Sequence, residues 1–456
     1  MRLTVIGGGG FRVPLVYGAL LRDHAAGRVT HVTLHDVDPA RLTAVARVLA
    51  DQAAGMPDAP EVRTTTDLDD ALRGADFVFS AIRVGGLAGR AADERVALAE
   101  GVLGQETVGA GGIAYGLRTV PVAVDIAERV ARIAPDAWVI NFTNPAGLVT
   151  EAMAAQLGSR VIGICDSPVG LGRRVARTLG TDPDRARFDY VGLNHLGWLR
   201  GLYAGVADGE DGAERNLLPA LFEDEALLTS FEEGKLFGAE WLRTIRSVPN
   251  EYLHYYYFNR ETVASYRQAE QTRGAFLHDQ QARFYDRMAH SATPAWQAWD
   301  STRAEREATY MAENRETAGA GERAADDLES GGYEKVALAL MRAIARGEET
   351  TLILNVPNRG TLGVLDATAV IEVPCRVDAN GPRPLPVTQL AGHEAGLVTA
   401  VKAVERCVLE AAESGSARAA VQAFALHPLV DSVNVARRLL DGYRGVHPGL
   451  DYLRMR

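Results

Sequence analysis

A chain of 456 residues with 47% hydrophobic and 23% charged content is long enough for two domains or one large lobed unit, and it carries no compositional sign of disorder. A net charge of −11 argues against a nucleic-acid partner, whose affinity would need a basic surface, yet leaves room for an anionic small molecule held by local arginines. The three cysteines, Cys165, Cys375 and Cys407, form no disulfide framework and fit a reducing compartment; the last two are assigned to packing.

Leu3–Ile6 is a short apolar run that opens into Gly7-Gly8-Gly9-Gly10, and Val13–Leu21 follows with helical character. This glycine turn comes too early for a signal peptide, and no apolar run reaches the ~18 residues of a membrane helix, so the expected location is the cytoplasm with no membrane partner. Strand, glycine turn and helix are the parts of a dinucleotide site. Glycines let the backbone approach a pyrophosphate, and the helix amino terminus offers free N–H groups. Val29–Leu34 reads as the second strand. Asp36, just beyond it, either accepts hydrogen bonds from the adenosine ribose or merely opens the loop before Pro39; with no arginine adjacent it favours NAD over NADP.

The alternation continues. Pro39–Ala54 reads as helix, Asp76–Ala81 as a buried strand, Val120–Ile133 as helix and Trp138–Ile140 as strand. Arg160–Ile164 is again a strand, Val169–Leu179 a helix and Asp189–Leu193 a further strand. This rhythm predicts an α/β fold whose N-terminal part is a doubly wound, Rossmann-like parallel sheet. Between Ala81 and Val120 lies a stretch rich in glycine and charge, including Arg83, Arg90, Asp93, Glu94, Gln105 and Glu106. It is expected to be a long functional loop, lid-like or in contact with substrate.

After Trp198 the texture changes. Residues 200–235 are acidic and loop-rich, 236–330 are largely helical, and 315–332 are expected to be mobile. Thr351–Val356 and Ala369–Val373 look like strands, while Glu394–Glu413, Arg418–Ala425 and Val433–Leu440 look like helices, giving a C-terminal mixed α/β (α+β) lobe. The boundary is placed at residue 195, between an expected NAD-binding domain of residues 1–195 and a second lobe of residues 196–456.

Three short texts follow strand-like runs, where open α/β sheets place their ligands: Asn141-Phe142-Thr143-Asn144-Pro145, Gly163-Ile164-Cys165-Asp166-Ser167-Pro168 and Gly192-Leu193-Asn194-His195. Cys165 and His195, on neighbouring strand ends in this reading, can bind a divalent ion together and leave positions open for substrate oxygens. A simply packed cysteine and a Cys–His nucleophile pair are the alternatives, and nothing near Cys165 supplies an oxyanion hole for the latter. Asp166 can be a general acid or only cap the helix after Pro168. Spacing does not separate Tyr252 from Tyr255, Tyr256 or Tyr257 as a base. A phenol in that role needs its pKa of about 10 lowered, for which a metal cation is a plausible cause.

Further texts join these in order: Gly7-Gly8-Gly9, Arg83-Val84-Gly85 with Arg90, Gly104-Gln105-Glu106-Thr107, Pro249-Asn250-Glu251-Tyr252, Thr272-Arg273 and Val373-Pro374-Cys375. Together they span most of the chain, which resembles the NAD- and metal-dependent glycoside hydrolases of family four, the 6-phospho-glucosidase and α-galactosidase group. The resemblance implies that Cys165 and His195 hold a divalent ion, typically manganese, that Tyr252 is the base and Asp166 the acid, and that Arg90, Asn144 and Arg273 contact the sugar. NAD would lie on Gly7, Gly8, Gly9, Gly10 and Asp36, and the chain would form a homodimer or homotetramer. In that family NAD+ oxidises the sugar at C3, which acidifies the C2 proton. The aglycone leaves by elimination, water adds to C1 and C3 is reduced again, so no pair of flanking carboxylates is needed.

Where the family commonly continues with Ser-Thr or Ser-Ser after the glycines, this chain has Gly10-Phe11-Arg12. Arg12 is therefore expected to replace the lost hydrogen bonds or to bind an anionic group of the substrate. Cys165-Asp166 resembles the α-specific members. Arg83-Val84-Gly85-Gly86 and Asn141–Gly147 resemble the 6-phospho-β-glucosidases, and this larger share of text favours a 6-phospho-β-glucoside. The competing readings are an NAD-dependent hydroxy-acid dehydrogenase, a family-four enzyme for α-linked or non-phosphorylated glycosides, and a non-catalytic NAD-binding sensor.

Overall fold

The computed structural model describes residues 1–205, 214–291, 293–321 and 332–455. Of the stretches expected to be loop-rich or mobile, residues 206–213 and 322–331 lie outside the described residues.

Apolar strands covered on both faces build the first half. β1 (Arg2–Ile6), β2 (His31–His35), β3 (Glu61–Thr65), β4 (Phe77–Ser80), β5 (Trp138–Asn141) and β6 (Val161–Gly163) pair in parallel, in the order β3-β2-β1-β4-β5-β6. All of β4 is buried, as a strand between two helical layers must be. β3 is a polar edge strand, Glu-Val-Arg-Thr-Thr, and no hydrophobic period announces it. Helices α1 (Val13–Leu21), α2 (Pro39–Gln52), α3 (Leu68–Leu72), α4 (Gly86–Ala99), α5 (Gly109–Ile133), α6 (Ala146–Leu157) and α7 (Ser167–Thr178) connect or follow these strands. The chain changes direction of winding between β1 and β4, so a crevice opens there at the carboxyl ends of the strands.

The stretch between Ala81 and Val120 is not a long loop: α4 and the first half of α5 occupy most of it. Its charges are neutralised inside the helical layer. Arg118 pairs with Asp93 at 2.7 Å and Arg90 with Glu94 at 2.9 Å, and none of the four residues is more than 7% exposed. Buried charges are tolerated when paired in this way, so a charged text forms a helix interior. Close approach explains a glycine as well: a Cβ on Gly112 would come within 2.5 Å of the Thr107 carbonyl.

Cys165 and His195 do not come from neighbouring strands. After β7 (Arg187–Leu193) the chain turns into β8 (Leu196–Gly205), and β9 (Glu214–Asn216) and the short β10 (Val248–Pro249) pair along β8. β11 (Thr350–Pro357) and β12 (Val370–Asp378) then insert antiparallel between β6 and β7, with β13 (Gly381–Pro384) paired to β12. β12 is buried over its first six residues, and a strand buried on both faces has to take a central place. The fully buried Glu372 of β12 ties the insertion together. It accepts from Asn355 at 2.8 Å, Asn194 at 3.1 Å and the Tyr190 hydroxyl at 3.2 Å. The sheet is thus continuous across residue 195, and residues 200–205 extend β8 where a loop was expected.

C-terminal helices cover this sheet. Arg273–His290 packs on α4 and Ala295–Ala308 on α2, while Tyr333–Arg346 lies against α1. Gly392–Ser414, Ala417–Leu426 and Val433–Val446 form a separate core with α5 around Phe424 and Tyr443. Among the described residues no helix is long and apolar enough to cross a membrane.

Candidate active site

A cavity of about 1630 Å³ opens at the switch between β1 and β4. That exceeds the ~300–1,000 Å³ usual for one small ligand and suits a dinucleotide beside a sugar. Gly7, with φ of +85°, ends β1, and a Cβ there would stand 2.5 Å from the Ala81 carbonyl oxygen; only glycine lets the two strand ends come so close. Gly7, Gly10 and Asp36 line the cavity, whereas Gly8 packs on Leu34 and Gly9 on Arg41. The Asp36 carboxylate accepts from the Gly9 N–H at 3.0 Å, which ties it to the turn. Among the described residues the Phe11 and Arg12 N–H groups have no acceptor and stand at the amino end of α1, the position from which helices bind phosphate.

Cys165 and His195 line the same cavity despite the strands between them. His195 occupies a two-residue hairpin between β7 and β8 with φ of +61°. Its ring is 6% exposed, and burial lowers its pKa to about 4, so it is neutral over the physiological range. Thr107 is the hydrogen-bond partner of the ring at Nδ1. Gln105 Oε1 accepts from the N–H groups of Thr107 and Val108 at 2.6 and 2.8 Å and from the Thr107 hydroxyl at 3.0 Å. When the Thr107 proton lies on Gln105, the Thr107 oxygen, 2.8 Å from His195 Nδ1, accepts from Nδ1–H, and Nε2 is left with a free lone pair.

Burial, and after it Glu372 and Asp166, push the Cys165 thiol well above its usual range. A cation beside it would reverse that shift, since a coordinating thiol is deprotonated. The pair therefore fits a divalent ion. Among the described residues no group of three or more His, Cys, Asp or Glu side chains gathers into a metal site, so these two supply only part of a coordination shell.

Tyr252 is the tyrosine of its run that reaches this cavity beside Cys165. Its ring stacks on His195 with centroids 3.6 Å apart and planes 2° apart, and its hydroxyl lies 3.1 Å from that of Tyr310. Tyr255 meets Tyr266, Tyr256 stacks on His427, and Tyr257 accepts from Trp198 Nε1. Burial, then Tyr310 and Glu251, raise the Tyr252 phenol well above its usual value. Asp166 occupies the cap position of α7, yet its side chain makes no capping bond and stands at the cavity wall. Next to it, Ser167 donates to Glu251 Oε1 at 2.7 Å, and Glu251 also lines the cavity.

Arginines and carboxylates share the cavity wall. Arg83 and Arg90 each reach Glu106 at 2.8 Å; burial would raise that carboxyl, but the two cations outweigh it and hold it well below the usual carboxylate range. Arg12 and Arg306 form no ion pair among the described residues. The Arg12 guanidinium instead lies 5.3 Å above the Tyr333 ring and 5.9 Å above that of Phe142. Burial, and after it Arg12 and Arg273, push Arg306 well below the usual arginine range. Arginine does not give up its proton, so Arg306 stands as a cation among cations, whereas for Arg12 burial is outweighed by Tyr333 and Asp166, which hold it above the usual arginine range.

Arg90 and Asn144 stand at the cavity wall, but Arg273 lies one layer behind it. It donates to the Arg306 carbonyl at 2.8 Å and to the Thr309 hydroxyl at 2.6 Å. Thr107, Arg306 and Tyr310 emerge from the structure as further site residues. Arg306 and Tyr310 sit in ordinary charged helical text, so only their place in the fold reveals them.

The sheet order and the glycine turn make this a Rossmann-type dinucleotide-binding fold. Residues 2–181 match the family 4 glycosyl hydrolases and residues 190–430 the C-terminal domain of that family; the chain belongs to it. The 6-phospho-alpha-glucosidase 1 of Lacticaseibacillus paracasei is 31% identical over 459 residues, with 96% of this chain and 95% of that protein covered. The 6-phospho-beta-glucosidase of Escherichia coli is 30% identical over 447 residues, covering 95% and 92%. Among solved structures, the 6-phospho-beta glucosidase of Thermotoga maritima with NAD and glucose-6-phosphate superposes with a TM-score of 0.83 at 25% identity, over 100% of both chains. A 6-phospho-alpha-glucosidase from gut microorganisms in complex with NAD and Mn2+ gives 0.77 at 25% identity, over 100% of this chain and 99% of the other.

Proposed function

We propose that this protein hydrolyses 6-phospho-β-glucosides with NAD+ and a divalent cation such as Mn2+. The observation that carries the phosphorylated substrate is the pair Arg12 and Arg306, two cations at the cavity wall that form no ion pair with a carboxylate among the described residues. A sugar 6-phosphate is the anion this cluster lacks. The β preference rests on Arg83-Val84-Gly85-Gly86 and Asn141–Gly147.

When bound, NAD+ offers a reversible hydride acceptor and the divalent cation polarises the sugar oxygens it meets. Cys165 and the free Nε2 of His195 would hold that cation, with Thr107 keeping the imidazole in the required tautomer. Tyr252 takes the C2 proton. Its hydroxyl partner Tyr310 donates to the resulting phenolate, and His195 fixes the ring by stacking. Asp166, free of any capping bond, gives a proton to the departing glycosidic oxygen. Arg90 and Asn144 orient the sugar, and Arg273 supports Arg306 from behind. In this reading residues 1–195 carry the cofactor, the metal ligands and Arg12, and residues 196–456 the base, Arg306 and the subunit contacts of a cytoplasmic homodimer or homotetramer.

Incubation with 4-nitrophenyl 6-phospho-β-glucoside, NAD+ and Mn2+ under reducing conditions in deuterium oxide tests this. Nitrophenol release, deuterium at sugar C2 and no net NADH are expected. Cleavage without NAD+ or without C2 exchange sinks the mechanism, and faster cleavage of the α-anomer sinks the anomeric assignment. Steady accumulation of NADH would mark a dehydrogenase instead.

A further inference from the structure

We infer that three aromatic donors from the second half of the chain, Tyr285, Trp299 and Tyr333, orient the glycine turn and thereby set its affinity for the pyrophosphate of a dinucleotide. This rests on the NAD reading above. Tyr285 donates to the Gly9 carbonyl, Trp299 Nε1 to the Phe11 carbonyl and Tyr333 to the Arg12 carbonyl, each at 2.7 Å. The donors sit on three different helices, Arg273–His290, Ala295–Ala308 and Tyr333–Arg346.

Trp299 has the most direct effect. The Phe11 carbonyl and the Arg12 N–H belong to one planar trans peptide and point in opposite directions. Anchoring that carbonyl on an indole that is 1% exposed aims the Arg12 N–H the other way. That N–H has no acceptor among the described residues and stands at the amino end of α1. The anchor itself is immobilised: the Trp299 ring packs 4.9 Å from Trp296 and 5.9 Å from Phe11, and Phe11 meets Phe284 edge-on at 5.3 Å. The other two bonds act on the flanking planes. The peptide held through Gly9 carries the Gly10 N–H that closes the turn on Gly7, and the peptide held through Arg12 carries the Val13 N–H bonded to Gly10. A turn of four consecutive glycines has little stiffness of its own, so its shape comes from these distant donors. Tyr285, Trp299 and Tyr333 are positioning residues, acting on the ligand through the turn.

The test measures binding to the full chain by calorimetry and ligand-observed NMR, with NAD+, ADP and adenosine as probes. Trp299→Phe keeps a ring and removes the donor. It should weaken NAD+ and ADP roughly tenfold, the effect of one lost hydrogen bond. Adenosine, which has no phosphate, should bind as it does to the unmodified protein. Tyr285→Phe and Tyr333→Phe should each weaken NAD+ several-fold with the same pattern. Unchanged NAD+ affinity in Trp299→Phe, or an equal loss for adenosine, overturns the inference. If Trp299→Phe does not fold, the double variant Tyr285→Phe/Tyr333→Phe carries the same comparison and the same two outcomes. Unmodified protein that fails to bind NAD+ overturns the cofactor reading and this inference with it, whereas normal binding with unaffected variants overturns the inference alone.

Discussion

Replacing Thr107 by valine keeps the shape of the side chain and removes the atom that holds His195 Nδ1–H at 2.8 Å. The imidazole is buried and neutral, so that N–H cannot turn to water. Leaving a buried donor without an acceptor costs ~1–3 kcal/mol. The ring has one escape, moving its proton to Nε2, and this removes the lone pair a cation would use. Both routes weaken the metal site by about 10- to 100-fold, the range found when partners behind metal-binding histidines are removed. Thr107→Ser keeps the hydroxyl and its bond to Gln105 Oε1, so its affinity should stay near that of the unmodified protein. Titration of Mn2+ followed by electron paramagnetic resonance, with NAD+ and glucose-6-phosphate present, gives the affinities, and nitrogen-15 NMR of the imidazole reports the tautomer. Full Mn2+ affinity in Thr107→Val, or an equal loss in Thr107→Ser, would refute the relay from Gln105 to His195.

Two further outcomes follow from the charges. Burial raises Glu372 from 4.5 to about 7, so its contribution to stability is complete below 4.5 and is lost as the pH rises through about 7. The unfolding free energy from denaturant titration should therefore fall between pH 5 and pH 8 by an amount on the order of 3 kcal/mol more in the unmodified protein than in Glu372→Gln, and parallel profiles would contradict this. Arg12→Ala and Arg306→Ala should each raise the inhibition constant of glucose-6-phosphate by about tenfold or more, as expected for a lost charge-assisted hydrogen bond, while changing that of glucose little. Melting of Arg306→Ala should not fall, because a half-buried cation without an ion pair among the described residues is removed; a lower melting temperature together with unchanged phosphate discrimination would count against the cluster.

Much of this site was legible in the chain because its parts stand at the ends of regular elements. The glycine turn, Asp36, Asn144, Cys165 and Asp166 each follow an apolar strand run, and the sheet carries them to one crevice. His195 was legible for the same reason, although its true setting is a hairpin turn. Order along the chain misled where the sheet is completed from far away: nothing near Cys165 or His195 says that residues beyond 350 separate them. Arg90, Asp93 and Glu94 read as loop residues because sequence shows charge without its partner. Their partners, Glu106, Arg118 and the backbone of Gly274, make that text the interior of a helical layer. Arg273 shows the opposite difficulty, since its motif is intact while its head group stands behind Arg306.

The insertion of β11 and β12 has a consequence for the order in which the molecule is made. A ribosome delivers Cys165 and His195 early, but the strands that join their two halves of the sheet include residues 350–378. Until that late segment emerges, β6 and β7 each present an open edge, the condition in which sheets pair with the wrong chain. Glu372 then closes the gap by drawing Tyr190, Asn194 and Asn355 onto one carboxyl group. The site is thus assembled by a late-synthesised part of the sheet, and a chain stopped before Thr350 has both expected metal ligands but no continuous ladder to hold them at one distance.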